Sequence, residues 1–219
     1  MKPLLLVLNP RRIPECVNAI SSLPIDKAWL SNYTEYELKD VIPNVLASTD
    51  HDLVGVLSDD TVPTPYALEA VLDATANSMV TTGWCRLDDT SPYVNLSTEP
   101  LATSTPTSSA YHFPTIDYVL DHDEPTLRTY FAGHCLTFMS RELWDEFPWD
   151  CHGGPPGYAS DLSLSYRLGQ AGIPITAARD GQVRHVKARW NYIDDTPGRE
   201  LLIGKEPSSV RWQLQGGTT

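Results

Sequence analysis

Two adjacent aspartates, Asp59 and Asp60, follow a run of apolar residues in the segment HDLVGVLSDDTVPTP. The apolar run at 53–57 predicts a buried strand, and the two carboxylates come after its carboxyl end, where open α/β sheets bind their ligands. Carboxylate oxygens are ligands for Mg2+ and Mn2+, which usually bind together with substrate phosphates. The pair therefore predicts a metal and phosphate site. The alternative is that both aspartates only stabilise the following turn and a helix with Thr64 as N-cap and Pro65 as its first residue.

Two further polar positions belong to predicted elements nearer the C-terminus. Ser160 and Asp161 begin a predicted helix in which Leu164 and Leu168 share the inner face. His185 lies in the short predicted strand of the segment GQVRHVK. Each residue also has a structural explanation, because the helix dipole alone favours a carboxylate at a helix start by roughly 0.3 to 1 kcal/mol. His185 can equally be an exposed strand residue.

The elements that must position these residues alternate between strands and helices. Such alternation predicts an α/β fold with a central, mostly parallel sheet flanked by helices. Helices are predicted before residue 22, around 38–46 with a kink or an early end at Pro43, from Pro65, after Ser140 and from Ser160. The predicted strands cover residues 4–8, 27–30, 53–57, 79–84, 136–139, 175–177 and 182–186.

Two segments lack a periodic pattern. Residues 87–110 are rich in Ser, Thr and Pro, which predicts a mobile surface loop. Residues 111–128 contain a short helix or strand around 116–120 whose type the pattern does not decide. At the C-terminus, Trp212 and the apolar Val210 and Leu214 suggest that the tail packs on something.

The length and charge of the chain limit the classes of function. With 219 residues the chain is long enough for one domain with a full core, and its formal net charge of −12 argues against stable binding of nucleic acid. No apolar run approaches a membrane span, and the four cysteines are dispersed without a CxxC spacing. We therefore expect a cytoplasmic protein without a zinc site, a disulfide framework or a membrane segment.

Taken in order, the aspartate pair, the segment ASDLSLSYRLGQAGIPI and the histidine of GQVRHVK resemble the GT-A glycosyltransferases, above all the large inverting group related to family 2. The resemblance runs from about residue 4 to residue 187, and three motifs in order are more specific than any one of them. It implies a single GT-A, Rossmann-like domain at 1–190, with a nucleotide-binding part at 1–85 and an acceptor-side part at 111–190. Residues 191–219 would form a C-terminal tail.

The resemblance implies a role for each residue of the three motifs. Asp60 would bind Mn2+ or Mg2+ directly, Asp59 would reach the donor's ribose or a metal-bound water, and His185 would be a further metal ligand. The metal would offset the charge on the departing nucleoside diphosphate, for which UDP is the default in the family. Asp161 would be the general base that takes the proton from an acceptor hydroxyl, with inversion at the anomeric carbon.

Further contacts with the nucleotide-sugar follow from positions that the family uses. The first of these positions follows the first strand, where the fold binds the base, and the second precedes the strand that flanks the donor sugar. The third follows the metal histidine, where a loop often closes over the diphosphate. Turn formation, a satisfied strand edge or a solvated surface charge explain these residues about as well. The expected contacts are Asn9, Arg11, Gly133, His134, Lys187, Arg189 and Trp190.

The sequence also departs from the family pattern. Related enzymes often have an acidic residue after the second strand that binds the nucleoside. Here the segment LSNYTEYELKD is compressed, and Asn32 or Glu35 would take that place. The Ser, Thr and Pro loop does not identify the acceptor, which remains a glycan, a protein or a modified base. The small size suits compact glycosyltransferases of bacteria and their phages, which would place a phage-encoded protein in the host cytoplasm.

Three other functions fit the residues less well. A sugar nucleotidyltransferase predicts a glycine-rich, basic phosphate loop after the first strand, and LVLNPRRIP lacks one. A glycoside hydrolase needs two carboxylates across a cleft, and no spacing supports Asp161 with Glu142 or Asp145 in that role. A non-catalytic binding module on the same scaffold has the shortened nucleotide region as its only argument.

Overall fold

The computed structural model describes residues 1–8, 13–31, 37–101, 112–150, 160–186 and 211–216. None of the helices in this part of the chain is long and apolar enough to cross a membrane. The strands are β1 (Pro3–Leu8), β2 (Asp26–Ser31), β3 (Leu53–Ser58), β4 (Thr61–Val62), β5 (Val80–Trp84), β6 (Thr126–Thr129), β7 (Cys135–Ser140), β8 (Ile175–Gln182), β9 (Arg184–His185) and β10 (Arg211–Gln215). The helices are α1 (Pro14–Ser21), α2 (Leu38–Ala47), α3 (Pro65–Ala74), α4 (Ile116–Leu120), α5 (Arg141–Glu146) and α6 (Ser160–Gln170), with a 3-10 turn at Thr75–Asn77.

Eight of the strands form one sheet in the order β10-β2-β1-β3-β7-β5-β8-β6. β1 pairs in parallel with β2 and β3, and β5 pairs in parallel with β8. β10, β7 and β6 run antiparallel to their neighbours. Five strands therefore point one way and three the other, which confirms the predicted α/β fold with a mostly parallel central sheet. β4 and β9 form a separate two-stranded ribbon.

Both faces of this sheet are covered, as the continuous apolar run of β1 requires. Leu4 and Leu6 belong to one hydrophobic cluster and Leu5 and Val7 to another, because successive side chains of a strand point to opposite faces. α2, α5 and α6 contribute to the first cluster, and α1 and α3 to the second. The sheet is thus a middle layer whose strand ends are held in place from both sides.

The helix starts follow the local sequence signals. Thr64 caps α3 by accepting a hydrogen bond from the backbone N–H of Ala67 at 3.0 Å, and Pro65 is the first helical residue. Ser140 caps α5 by accepting from the N–H of Leu143 at 3.2 Å. Pro43 lies inside α2, which is continuous from Leu38 to Ala47. These short-range signals therefore gave correct helix starts.

Three elements differ from the expectation. The two short strands predicted at 175–177 and 182–186 are instead one long strand, β8, followed by the two-residue β9. β6 pairs with β8 in the stretch that the pattern did not assign. The loop predicted at 87–110 is partly core, because Val94 and Leu96 are buried with Trp84; residues 102–110 lie outside the described part of the chain.

The C-terminal segment joins the same sheet. β10 pairs antiparallel with β2, with Trp212 opposite Leu30. The indole N–H of Trp29 donates a hydrogen bond to Gln215 Oε1 at 2.8 Å. A strand from the segment expected to be a tail therefore covers the β2 edge of the sheet.

Candidate active site

The acidic pair and the histidine are brought together by the β4–β9 ribbon. In this ribbon Thr61 lies opposite His185, so that β9 runs beside the residues that follow β3. His185 Nε2 lies 2.8 Å from Asp60 Oδ2, and the backbone N–H of Val186 donates to the Asp60 carbonyl at 2.7 Å. A carboxylate and an imidazole that are 125 positions apart in the sequence therefore form one pair.

A β-bulge shapes the strand next to this pair. The register of β3 and β7 shifts between Val56 and Leu57, where the extra residue of β7 is Leu136. Leu136 has φ 76°, a left-handed conformation that a leucine rarely adopts. Bulges at such positions re-aim the neighbouring side chains. Beyond the bulge, the carbonyl of His134 accepts a hydrogen bond from the N–H of Ser58 at 2.7 Å, which ties the start of β7 to the end of β3.

The head of α6 is fixed to the segment before β7. The hydroxyl of Ser165 donates to the Asp161 carbonyl at 2.8 Å and accepts from the N–H of Ala132 at 3.0 Å. His134 Nε2 lies 3.0 Å from Ser160 Oγ, and its ring stacks on Trp149 with 4.7 Å between the ring centroids. These contacts hold the helix start, and with it the carboxylate of Asp161, against the sheet.

Asp161 itself makes a bond that a helix start provides. Its Oδ1 accepts a hydrogen bond from the backbone N–H of Leu162 at 2.8 Å. The side chain is only partly buried and lines a cavity. One carboxylate oxygen is thus oriented by the backbone of α6, in a place that a bound molecule can reach.

This cavity has a volume of about 310 Å³ and brings most of the described predicted residues together. Asp60, His185, Asp161, Gly133 and His134 all line it. Asp59 is fully buried at the end of β3 and is not among the lining residues, so its predicted contact with the ribose remains a prediction. The other predicted contacts, Asn9, Arg11, Lys187, Arg189 and Trp190, lie outside the described residues.

Several lining residues were not predicted from the sequence. Arg86 follows shortly after the end of β5, and its position as a charged residue after a predicted strand is a signal that could have identified it. Asn95 comes from a segment without a periodic pattern, and no local signal marks it. The unpredicted lining residues are Ser58, Thr61, Cys85, Arg86, Leu87, Asn95, Phe113, Phe131, Cys135 and Leu162.

Asn95 forms part of the cavity wall with a fixed amide orientation. Its Oδ1 accepts from the N–H of Cys85 at 2.7 Å, and its Nδ2 lies 2.9 Å from Cys135 Sγ. A Cβ atom at Gly133 would lie 2.7 Å from the same Nδ2. The glycine at 133 therefore leaves room for the Asn95 amide between β5 and β7.

The donor atoms of the site suit an ion that arrives with its substrate. Among the described residues there is no cluster of three or more His, Cys, Asp or Glu side chains that could enclose a metal. Asp60 and His185 supply one carboxylate and one imidazole at the cavity wall. An ion held by these two needs further oxygens from phosphate or water, as substrate-bound Mg2+ and Mn2+ commonly have. The imidazole favours Mn2+ over Mg2+, since Mg2+ prefers oxygen ligands.

The negative charges of the acidic pair also affect the pKa of a buried thiol. Cys16 of α1 is fully buried, and burial raises the pKa of its thiol to about 12. The negative charges of Glu15, Asp60 and Asp59 act in the same direction, whereas Arg184 lowers the pKa. The thiol therefore stays protonated, so that it adds no further negative charge beside the two aspartates.

We expect Cys16 to react with iodoacetamide at pH 8 roughly 1,000-fold more slowly in the folded protein than after unfolding. The thiolate is the reactive form, and the rise of the thiol pKa from 9.0 to about 12, caused mainly by burial, lowers the thiolate fraction by about that factor. Mass spectrometry of the peptide that contains Cys16 measures the rate, with the urea-unfolded chain as the reference. Rapid labelling of Cys16 in the folded protein would contradict the burial of this thiol.

Comparison with known proteins supports the fold. No family model matches the chain, and no curated protein sequence matches it. Among solved structures, A197 from STIV superimposes with a TM-score of 0.53 and 15% identity over 81% of each chain. The structure of GalNAc-T7 with UDP, GalNAc and Mn2+ superimposes with a TM-score of 0.55 and 8% identity, over 84% of this chain and 43% of that one.

These similarities define a GT-A-like, Rossmann-type fold. The identities of 15% and 8% are too low for more than the fold to be transferred. The chain also spans less than half of the GalNAc-T7 chain. Function must therefore be argued from the residues around the cavity.

Proposed function

We propose that the protein is a metal-dependent glycosyltransferase that moves a sugar from a nucleoside diphosphate sugar to an acceptor hydroxyl with inversion. The observation that supports this most is the cavity at the strand ends. There the Asp60–His185 pair and the carboxylate of Asp161 line one space on a GT-A-like scaffold. The GalNAc-T7 structure, which contains UDP, GalNAc and Mn2+, makes UDP and Mn2+ the first ligands to test.

In this proposal Asp60 and His185 hold the metal, with Mn2+ preferred and Mg2+ as the alternative. The bound ion would offset the negative charge of the leaving nucleoside diphosphate. Asp60 is almost fully buried, whereas His185 is more open to solvent. The carboxylate therefore faces little competition from bulk water for the ion, and the imidazole can turn from Asp60 toward it.

Asp161 is proposed as the general base. Its Oδ1 is occupied by the N–H of Leu162, which leaves Oδ2 as the atom to accept the proton of the acceptor hydroxyl. His134 and Ser160 keep the helix start in position through their contact at 3.0 Å. Placing the base within reach of a bound acceptor is the contribution that this geometry would make to the rate.

The remaining donor contacts complete the proposal. Asn9 and Arg11 would bind the base, and Asp59 would reach the ribose or a metal-bound water. Lys187 or Arg189 would pair with the diphosphate, and Trp190 belongs to the same donor-binding segment. Gly133 and His134 line the cavity and would flank the sugar. The acceptor is a glycan, a protein or a modified base.

Release of nucleotide from candidate donors tests the proposal. The purified chain is incubated with UDP-, GDP- and CMP-sugars, with Mn2+, with Mg2+ or with EDTA, and the free nucleotide is measured. We expect release from one donor class, UDP-sugars first, that requires the metal and is fastest with Mn2+. Pyrophosphate formation from UTP and a sugar phosphate would instead indicate nucleotidyl transfer. No binding of any sugar nucleotide in the presence of Mn2+ would contradict the catalytic proposal and favour a non-catalytic scaffold.

A further inference from the structure

A second cavity lies behind the wall of the first. Its volume is about 280 Å³, and β6, the segment that follows it and α6 form much of its lining. Phe131 and Leu162 face the first cavity, whereas Tyr130 and Tyr166 face the second. The two spaces are therefore neighbours that share two structural elements but none of their lining residues.

The charge of this second cavity is unusual for the chain. The sequence has 28 acidic and 16 basic residues, yet no aspartate or glutamate is among the described residues that line the cavity. Arg128 does line it, and the described part of the chain contains no ion pair of this arginine. Its guanidinium lies 5.0 Å from the centroid of the Tyr130 ring. Arg128 is exposed, and this cation–π contact leaves its planar fork of donors accessible to a carboxylate or a phosphate.

The other lining groups suit a sugar ring beside that anion. Tyr130 and Tyr166 combine an apolar ring with a hydroxyl, and Gln170 offers both a donor and an acceptor. Gly169 lies on the same helix, and a Cβ atom built there meets no heavy atom within 4 Å. Gly169 is exposed and lines the cavity, so that a larger side chain at this position would extend into open space at the cavity mouth.

The end of α6 lies close to this cavity, and a helix C-terminus disfavours anions. Its last carbonyls, however, are already bonded: that of Leu168 accepts from the N–H of Ile173 at 3.0 Å, and that of Gly169 from the N–H of Gly172 at 3.1 Å. The dipole effect is also weak at an exposed helix end, whereas hydrogen bonds between arginine and an anion are among the strong ones. Among the described lining residues Arg128 carries the charge, and it gives this lining a preference for anions.

We infer that this second cavity is a non-catalytic binding site for an anionic saccharide, a sugar ring that carries a carboxylate or a phosphate. The choice of a sugar over other anions rests on the proposed glycosyltransferase function. Arg128 binds the anionic group, the tyrosines contact the ring, and Gly169 provides the space. A site next to the catalytic cavity would hold a charged part of the acceptor or of the product.

Binding experiments with simple probes test the inference. Glucuronate, glucose 6-phosphate, glucose and inorganic phosphate are titrated by calorimetry in EDTA, so that no metal-dependent donor site is formed. We expect the two anionic sugars to bind about tenfold more tightly than glucose or inorganic phosphate. If glucose or inorganic phosphate binds as tightly as the two anionic sugars, the inference is overturned.

Two variants locate the binding. Gly169→Leu fills the cavity while favouring the helix, and it should abolish binding. Arg128→Gln should reduce the affinity for both anionic sugars to that for glucose, whereas Lys39→Gln on the exposed face of α2 should change nothing. Unchanged binding by Gly169→Leu, or displacement of the sugar by UDP with Mn2+, would place the ligand elsewhere and contradict the inference.

Donor release separates this inference from the proposed function. Gly169→Leu and Arg128→Gln should release nucleotide from the donor as fast as the unaltered protein, because neither residue lines the first cavity. Binding of the anionic sugars, with neither binding nor release of any sugar nucleotide in the presence of Mn2+, would leave the second site standing and contradict the transferase proposal. Donor release without binding of the anionic sugars would contradict the second site and leave the proposed transferase function standing.

Discussion

Asp161→Asn should lower the rate of sugar transfer by about 10² to 10⁴-fold, the range that a positioned general base usually contributes. Asparagine has the same shape, and its Oδ1 can still accept the hydrogen bond that the N–H of Leu162 donates to Asp161 at 2.8 Å. It cannot, however, take the proton of an acceptor hydroxyl. The loss should therefore fall on kcat, with little change in the KM for the donor.

The measurement uses the donor identified by nucleotide release and follows transfer to an acceptor. Asp73→Asn is the matched control, because Asp73 is an exposed carboxylate on α3 that does not line the cavity. Thermal unfolding of both variants checks that the head of α6 is intact. If Asp161→Asn transfers sugar as fast as Asp73→Asn, then Asp161 is only a favourable residue at a helix start.

The layer structure could be predicted because its signals are local. β1 and β3 are runs of apolar residues that are buried on both faces, and such runs indicate central strands without knowledge of their partners. Thr64 and Ser140 are capping residues whose hydrogen bonds reach only three positions along the chain. Each of these signals can be read from a few consecutive residues of one segment.

The elements that were missed depend on contacts between distant segments. β6 is a four-residue strand, TLRT, that becomes a strand by pairing with β8. Val94 and Leu96 become core by packing against Trp84 and Val119. Leu136 at the bulge has φ 76°, a conformation that only a glycine or asparagine would have suggested. Strand pairing and long-range packing decided these features, and a single sequence contains no direct record of either.

The candidate site shows the same division. The position of Asp60 after a strand end indicated a metal site, and the family resemblance supplied the proposed roles of Asp161 and His185. The cavity between them is also lined by Asn95 and Phe113, which come from the two segments that lack a pattern. The residues proposed to have a chemical role could therefore be named from the sequence, whereas those that shape the space around them could not.

Asp60→Asn should weaken the binding of Mn2+ in the presence of UDP by more than about 100-fold. Residues that only support a metal ligand cost about 10 to 100-fold in metal affinity when they are changed, and Asp60 is proposed as a direct ligand. The neutral amide also removes one of the two adjacent buried negative charges, Asp59 and Asp60, that attract a cation. Donor release should then require much more Mn2+ or be lost.

Electron paramagnetic resonance of free Mn2+ measures this affinity without relying on activity. His185→Gln should weaken Mn2+ less than Asp60→Asn does, because a neutral ligand is lost instead of a charged one, and Asp73→Asn should leave the affinity unchanged. The 2.8 Å contact between His185 and Asp60 permits a second explanation, in which the pair only fastens the β4–β9 ribbon to the end of β3. In that case both variants would lower the thermal stability and leave Mn2+ binding intact. Loss of Mn2+ binding at unchanged stability would instead identify Asp60 as a metal ligand.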